Sequence, residues 1–230
     1  TEERVDEVWR WGKVKLLAKG LKGLEPSKGG PDYFLYMDVD AVLADFSKDS
    51  FTLLLQAHPK AEILVSREPA VKASKAAASG ANDWSGGRQD FNNGVLLVRN
   101  SAWSRRFVAE WGRKLVGRPD ANDQEILQEL YDADTMGARA KIAVLAPGEV
   151  NSEMSIPVGE AGQRVVHLGG IHDPIRSAVF SAMHEAVCAG ELRPFGGPEL
   201  QQIYLAAMRR EAERAPPTQH GKARVNGWLQ

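Results

Sequence analysis

The chain has 230 residues, and its 29 lysines and arginines nearly balance its 30 aspartates and glutamates, which gives a formal net charge of −1. This balance argues against general nucleic-acid binding, which needs a strongly basic surface. The single cysteine, Cys188, excludes an intrachain disulfide framework. No apolar run is long enough to span a membrane and no signal-peptide pattern is visible. The start at Thr1 leads us to expect a segment processed or cut from a longer protein.

Helical and strand patterns alternate along most of the chain. Apolar residues between positions 8 and 24 recur every three or four residues, which predicts an amphipathic helix. Short apolar runs predict strands over residues 33–37, 62–66, 94–99, 142–145 and 164–168. Further helices are predicted over residues 50–58, 174–187 and 198–214. Two more are predicted to begin at a cap, one at Asn100 or Ser101 and one at Asn122 or Asp123.

This alternation predicts an α/β fold with a mostly parallel central sheet flanked by helices. We expect one domain over residues 1–215. Residues 216–230 are predicted to form a loose tail, because their composition turns to Pro, Gly, Lys and Arg. In sheets of this kind, ligands bind beyond the carboxyl ends of the strands.

The stretch Tyr-Phe-Leu-Tyr-Met-Asp-Val-Asp at positions 33–40 carries the main chemical signal. An apolar strand is predicted to end at Met37, so that Asp38 and Asp40 lie where the chain turns. Two carboxylates in such a place are costly unless a cation meets them. Mg²⁺ and Mn²⁺ bind carboxylate and phosphate oxygens, so the stretch favours a metal site that bridges the protein and a phosphorylated ligand. The alternative is a pair of exposed turn aspartates.

Three further polar clusters lie beside predicted strands and helices. Asn92-Asn93-Gly94 precedes a strand, Asp123-Gln124 opens a helix, and the segment from His167 to Asp173 closes a strand. Each cluster alone is a weak signal, because an Asn-Asn-Gly is more often a turn and a lone histidine is more often structural. In this order, together with Asp38 and Asp40, they are far more specific.

With these motifs in this order, the sequence resembles the GT-A glycosyltransferases of family 34, which include xyloglucan xylosyltransferases and galactomannan-type galactosyltransferases. The resemblance covers roughly residues 8 to 172. The matching segments are Trp11-Gly12-Lys13, residues 36–41, residues 91–104, Asp123-Gln124, Asn151-Ser152 and residues 166–170. The continuous match over residues 91–104 is the most specific part.

This resemblance implies a GT-A fold and a retaining transfer of a hexose or pentose from a nucleotide-sugar donor to a glycan or glycoprotein acceptor. It implies Mn²⁺, or Mg²⁺, held by Asp38, Asp40 and His167. It further implies that the catalytic residues are Gln124, Asp123 and Asn93, without an assigned general base. The residues expected to bind the donor are Lys13, Asp38, Asn92, Gly94, Gly169, Gly170 and His172.

The chain also departs from the family at several places. The family has a cysteine where this chain has Gly170, and a lysine commonly faces the diphosphate where this chain has His172. If His172 takes that role, donor affinity should fall as pH rises through about 6 to 7.5. The first nucleotide-binding strands are expected to be missing. A membrane contact and a place in the Golgi lumen would require an N-terminal anchor on the parent protein.

The glycine-rich stretch over residues 69–89 is predicted to be a loop, and loops of this length in compact domains are usually functional or disordered. Trp84 and Arg88 within it favour a binding loop over a slack linker. We expect it to flank the acceptor, with Trp84 offering a flat apolar face to a sugar. The alternative is that Trp84 anchors the loop to the core.

Two other functions fit parts of the sequence. In a haloacid-dehalogenase-type phosphatase, Asp38 would be the nucleophile and Asp40 the acid–base. Such a phosphatase needs a late strand that ends in an acidic pair, whereas residues 142–145 run into Ala-Pro-Gly. The second alternative is a non-catalytic, degenerate transferase that binds nucleotide or sugar.

Overall fold

A computed structural model describes residues 5–24, 26–43, 50–68, 91–118, 120–153, 164–169 and 173–189, with helical positions at 202, 205–206 and 209–210. The helices are α1 (Val5–Gly23), α2 (Ser50–Ala57), α3 (Ala102–Val116), α4 (Asp123–Asp132), α5 (Ala138–Lys141) and α6 (Asp173–Cys188). The strands are β1 (Tyr33–Met37), β2 (Ala41–Leu43), β3 (Ile63–Arg67), β4 (Phe91–Arg99), β5 (Ile142–Leu145), β6 (Asn151–Glu153) and β7 (Val165–His167).

The strands form two sheets. The larger sheet has the order β1-β4-β3-β5, in which β4 runs antiparallel to both β1 and β3 while β3 and β5 are parallel. The smaller sheet has the order β2-β7-β6, with β2 antiparallel and β6 parallel to β7. A register shift between Val65 and Ser66 interrupts the pairing of β3 with β4.

The predicted α/β class, with a central sheet flanked by helices, is confirmed. The prediction of a mostly parallel sheet is wrong for the described strands, because β4 pairs antiparallel on both sides. Residues 91 to 98 are all buried, and such continuous burial is typical of parallel strands. Here it arises because β4 is covered on both faces, so the burial pattern does not reveal the strand direction.

Two hydrophobic clusters cover the two faces of the larger sheet. On one face, helices α1, α3 and α4 pack against alternate strand residues such as Leu96 and Val98. On the other face, α2 and β7 meet the intervening residues Val95 and Leu97. This alternation follows from strand geometry, in which successive side chains point to opposite faces.

The helices on the first face follow their sequence patterns. From residue 12 onward in α1, the apolar side chains of Val14, Leu17 and Leu21 are buried together with Lys13, whereas Lys15 and Lys19 are exposed. In α3, Phe107, Trp111 and Leu115 recur every four residues and are buried, which confirms their prediction as core.

Side-chain caps fix where α3 and α4 begin. The Ser101 hydroxyl accepts a hydrogen bond from the Ser104 amide at 3.1 Å. Asn122 and Glu125 form a reciprocal capping box at the start of α4, with bonds of 2.8 and 3.0 Å. This capping box fixes the start of α4 and so places Asp123 and Gln124 on its first turn.

Strands β2 and β6 were not predicted, because three residues are too few to show a period. The predicted loop over residues 69–89, with Trp84, lies outside the described residues, and so does the tail over 216–230. Among the helices of the described part of the chain, none has the length and apolar character that crossing a bilayer would require.

Candidate metal and donor site

The two aspartates lie in the turn that carries the chain from the larger sheet to the smaller one. Strand β1 ends at Met37, and the Asp38 amide donates to the Gly94 carbonyl of β4 at 2.8 Å. The Ala41 amide then donates to the Asp38 carbonyl at 3.0 Å, which closes the turn before β2. Asp38 and Asp40 are both half-buried at this junction.

His167 reaches the same junction from the smaller sheet. It is the last residue of β7 and pairs with Ala41, and the Leu168 amide donates to the Asp40 carbonyl at 2.8 Å. The Nε2 atom of His167 lies 3.2 Å from Oδ1 of Asp40 and 3.9 Å from Oδ2 of Asp38. The structure therefore brings together the three residues that the resemblance implied as metal ligands.

This donor set fits a divalent cation. One ligand atom from each of Asp38, Asp40 and His167 lies within 4.8 Å of the others. Ligands bonded at about 2.0–2.3 Å to one cation stand about 3–4.5 Å from each other, so the observed spacing is suitable. Two carboxylates with one imidazole suit Mn²⁺ or Mg²⁺ and leave coordination positions for phosphate oxygens.

Two glycines make room for the His167 ring. A Cβ atom added to Gly94 would lie 2.1 Å from Cε1 of His167, a distance that no side chain can accept. A Cβ atom on Gly169 would lie 3.0 Å from Nε2 of the same ring. The sequence predicted both glycines as donor-binding residues, and the structure shows that they pack against the histidine.

Lys13 connects the metal-site acids to the catalytic candidates. Its Nζ atom lies 3.4 Å from Oδ1 of Asp38 and 2.9 Å from Oδ2 of Asp123. It also donates to Oδ1 of Asn93 at 2.8 Å and to the Asn93 carbonyl at 3.0 Å. Lys13 is only 7% exposed, and burying an ammonium group is costly unless such partners surround it.

The three predicted catalytic residues adjoin one another. The Asn93 side chain donates to Oδ2 of Asp123 at 2.7 Å, and the Asn93 amide donates to Oε1 of Gln124 at 3.2 Å. The buried Trp111 of α3 fixes the start of α4 beside these residues, because its Nε1 donates to the Asp123 carbonyl at 2.9 Å. Asn93 and Gln124 are therefore in direct contact, and their catalytic roles stay predictions.

Side chains that the sequence analysis missed hold the outer oxygens of the two carboxylates. The Tyr36 hydroxyl donates to Oδ1 of Asp38 at 2.9 Å, and Nη1 of Arg176 lies 3.0 Å from Oδ2 of Asp40. Tyr36 lies two residues before Asp38, so strand alternation could have placed both on one face. The contact of Arg176 spans 136 residues and has no local signal.

Burial and neighbouring charges keep Tyr36 and Asp40 in defined protonation states. Burial, reinforced by the negative charge of Asp38, raises the pKa of Tyr36 far above its usual value, so the hydroxyl stays a donor. The hydrogen bond from His167 holds the pKa of Asp40 below its usual value, and the charge of Arg176 acts in the same direction. Asp40 is therefore a carboxylate at neutral pH, as a metal ligand must be.

Asn92 faces away from Lys13 and toward the smaller sheet. Its Oδ1 accepts from the Gly94 amide at 3.1 Å and from Nδ2 of Asn151 at 2.7 Å. Its predicted role in donor binding stays a prediction. Gly170 and His172, also predicted to bind the donor, lie outside the described residues.

No protein-family model and no curated protein sequence matches the chain. Among solved structures, a glycosyltransferase involved in the glycosylation of the major capsid of PBCV-1 superposes with a TM-score of 0.51. The match covers 80% of each chain at 16% sequence identity. The chain has the GT-A fold.

Two other solved structures match with lower scores. Mouse xyloside xylosyltransferase 1, in its apo form, matches with a TM-score of 0.41 and 12% identity over 73% of this chain and 66% of that one. Galactosyltransferase LgtC, in complex with donor and acceptor sugar analogues, matches with a TM-score of 0.41 and 16% identity over 82% and 65%. At these identities the likeness concerns the fold, and the assignment to family 34 stays a prediction.

Proposed function

We propose that the protein is a metal-dependent glycosyltransferase of the family 34 type. It would move a hexose or pentose from a nucleotide-diphosphate sugar to a glycan or glycoprotein acceptor, with retention at the anomeric carbon. The observation that carries this proposal is the convergence of Asp38, Asp40 and His167 where the two sheets of a GT-A fold meet. In such folds the carboxyl ends of the strands are where ligands bind.

The charges in the cluster support a divalent cation and an anionic donor. Among these side chains, the three carboxylates of Asp38, Asp40 and Asp123 face the two cations Lys13 and Arg176, so negative charge remains. A bound Mn²⁺ or Mg²⁺ would neutralise charge on the leaving diphosphate. Asp38, Asp40 and His167 would hold that cation, and the polar groups beside them would face the donor.

The neighbouring group of Asn93, Asp123 and Gln124 would lie beside the sugar. Asp123 and Asn93 are bonded to each other and to Lys13, which fixes their positions before any substrate arrives. Such preorganisation is what positions a reacting sugar for transfer. We assign Gln124 to the anomeric centre, because its side-chain oxygen accepts a hydrogen bond from the Asn93 amide at the N-terminal end of α4.

The cellular setting belongs to the same proposal. We place the protein in the Golgi lumen when its parent chain carries an N-terminal anchor, and membrane contact would occur only through that anchor. Expression of the parent gene with a C-terminal fluorescent tag tests this, and a diffuse cytosolic signal would contradict it.

The deciding experiment measures sugar release from a panel of nucleotide-diphosphate sugars, with and without Mn²⁺, alongside hydrolysis of a phosphomonoester. We expect Mn²⁺-dependent sugar release that Asp40→Asn lowers at least tenfold. The matched control is Asp120→Asn, an exposed aspartate outside the cluster. Phosphomonoester hydrolysis would favour the phosphatase alternative. Mn²⁺ binding without either reaction would favour a degenerate, non-catalytic transferase.

A further inference from the structure

Each carboxylate of the candidate cation site has one oxygen near His167 and a second oxygen that another side chain holds. For Asp40, Oδ1 lies 3.2 Å from Nε2 of His167, whereas Oδ2 lies 3.0 Å from Nη1 of Arg176. For Asp38, Oδ2 lies 3.9 Å from Nε2 of His167, whereas Oδ1 accepts a hydrogen bond from the Tyr36 hydroxyl at 2.9 Å. We call Oδ1 of Asp38 and Oδ2 of Asp40 the outer oxygens.

Tyr36 reaches Asp38 from a fixed position in the larger sheet. It lies in β1, pairs with Leu96 of β4, and packs against the hydrophobic cluster that α1, α3 and α4 cover. Nζ of Lys13 lies 5.4 Å from the centre of the Tyr36 ring and 3.4 Å from the outer oxygen of Asp38. Two donors therefore meet this oxygen, and Asp38 would have to give up both contacts to turn both oxygens toward a cation.

Arg176 holds the outer oxygen of Asp40 from helix α6. The Arg176 side chain is 28% exposed and that of Asp40 is 17% exposed, so the ion pair is partly shielded from water. The backbone of Asp40 is fixed as well, because its carbonyl accepts from the Leu168 amide at 2.8 Å. Hydrogen bonds between ionised partners are stronger than those between neutral ones. The outer oxygen of Asp40 is therefore costly to detach from Arg176.

We propose that Tyr36 and Arg176 are positioning residues that leave Asp38 and Asp40 one oxygen each for a cation, so that the site selects Mn²⁺ and Mg²⁺ over Ca²⁺. Ca²⁺ takes about 6–8 oxygen ligands and often binds both oxygens of a carboxylate. Mg²⁺ is smaller and is usually held by one or two carboxylates together with water and phosphate oxygens, and Mn²⁺ shares its octahedral geometry. Two single carboxylate oxygens suit these smaller cations and leave Ca²⁺ with too few ligands.

This inference rests on the proposed cation site and can be tested without any sugar transfer. The sharp EPR signal of free Mn²⁺ falls as the protein binds the ion, which gives the Mn²⁺ dissociation constant. Displacement of bound Mn²⁺ by Mg²⁺ or by Ca²⁺ gives the other two constants. We expect the wild type to bind Mn²⁺ at least about tenfold more tightly than Ca²⁺. Equal affinity of the wild type for Ca²⁺ and Mn²⁺ would overturn the proposal.

Tyr36→Phe removes one hydroxyl and changes no charge. Because it releases a contact of the outer oxygen of Asp38, we expect Ca²⁺ affinity to rise about threefold or more relative to Mn²⁺ affinity. Tyr33→Phe is the matched control on the same strand. Tyr33 points to the opposite face of the sheet, where it packs against the other hydrophobic cluster and Cζ of Arg99 lies 4.9 Å from the centre of its ring. We expect this control to leave the ratio of the two affinities unchanged.

Arg176→Gln separates positioning from charge, because it also removes a positive charge beside the site. Loss of the charge alone would strengthen the binding of every divalent cation by a similar factor and leave the ratio of Ca²⁺ to Mn²⁺ affinity unchanged. Release of the outer oxygen of Asp40 should in addition shift that ratio toward Ca²⁺ by about threefold or more. Arg118→Gln removes an exposed arginine that pairs with Asp120 and Glu129, and this control should leave both affinities unchanged.

The outcomes distinguish this inference from the proposed function. If Tyr36→Phe and Arg176→Gln both fold and keep the wild-type ratio of Ca²⁺ to Mn²⁺ affinity, the positioning roles are overturned even in a protein that transfers sugar. If Arg176→Gln does not fold, Tyr36→Phe alone decides. A ratio shifted toward Ca²⁺, in a protein that transfers no sugar, would uphold the positioning roles and refute the transferase.

Discussion

Gly94 lies directly beneath the ring of His167, so close that a methyl group on Gly94 would lie 2.1 Å from Cε1 of the histidine. Strand β4 and strand β7 belong to different sheets, and this contact is where they approach within the site. The missing side chain of one residue thus determines where a candidate metal ligand on the other sheet can lie.

Gly94→Ala should therefore displace the His167 ring and weaken Mn²⁺ binding at least tenfold, with a loss of stability of about 1–3 kcal/mol from overpacking. Isothermal titration with Mn²⁺ and urea unfolding measure the two effects. Gly112→Ala, within helix α3, is the control, since its Cβ would lie an ordinary 3.5 Å from a side-chain carbon of Val14 on helix α1. We expect it to leave Mn²⁺ affinity unchanged. A Gly94→Ala protein that binds Mn²⁺ like the wild type would refute the steric argument.

Lys13→Met should destabilise the protein by about 3–5 kcal/mol, because it leaves Asp38 and Asp123 without their shared cation. Urea unfolding at pH 7 measures this loss. Lys19→Met, on the exposed side of the same helix, is the matched control and should change stability by less than about 0.5 kcal/mol. Adding Asp123→Asn to Lys13→Met should restore part of the stability. If the changes in stability caused by Lys13→Met and Asp123→Asn simply add, the side chains of Lys13 and Asp123 do not interact.

The sequence predicted the members of the site better than the contacts among them. Asp38, Asp40 and His167 follow strands directly, and groups at strand ends are placed by the sheet itself. Tyr36 could have been found from strand alternation. The contacts of Asn151 with Asn92 and of Arg176 with Asp40 could not, because they join residues that are distant along the chain.

The direction of the strands was the part of the fold that the sequence did not reveal. Continuous burial over residues 91 to 98 identifies a strand covered on both faces, and both parallel and antiparallel partners produce that pattern. Strand β6, which begins at Asn151, and strand β2, which pairs with β7 and so with His167, are too short to be detected from periodicity. The second sheet was therefore missed, although its key residues were noticed.

The protein should keep the stabilising contribution of Asp40 well into the acid range. The pKa of Asp40 is depressed in the folded state, first by the His167 hydrogen bond and then by the nearby charges. A depressed carboxyl pKa stabilises the fold above the unfolded value of about 3.9, and this stability is lost as pH falls through the folded pKa. Arg176→Gln should raise the Asp40 pKa, so the loss would begin at a higher pH.

Carboxyl ¹³C titration of Asp40, together with urea unfolding between about pH 2 and 6, measures this shift, because the loss begins near the unfolded value of about 3.9. His167→Gln should raise the pKa more than Arg176→Gln, because the hydrogen bond from His167 is the larger cause. Arg210→Gln, an exposed arginine elsewhere, is the control and should leave the Asp40 titration unchanged. A larger shift for Arg176→Gln than for His167→Gln would show that the order of the two causes is wrong.

Gln124→Ala should lower sugar transfer while leaving the fold and Mn²⁺ affinity nearly unchanged. Gln124 lies on the first turn of α4 and accepts a hydrogen bond from the Asn93 amide at 3.2 Å, and the loss of such a bond typically costs about 1 kcal/mol of stability. Gln128→Ala, one turn further along the same helix, is the matched control. The Gln128 side chain donates to Asp132 at 3.0 Å, on the helix itself, so we expect wild-type transfer. Transfer rates, Mn²⁺ titration and thermal unfolding are measured for both variants. If Gln124→Ala unfolds the protein, or transfers sugar as fast as Gln128→Ala, then Gln124 is structural and does not act at the anomeric centre.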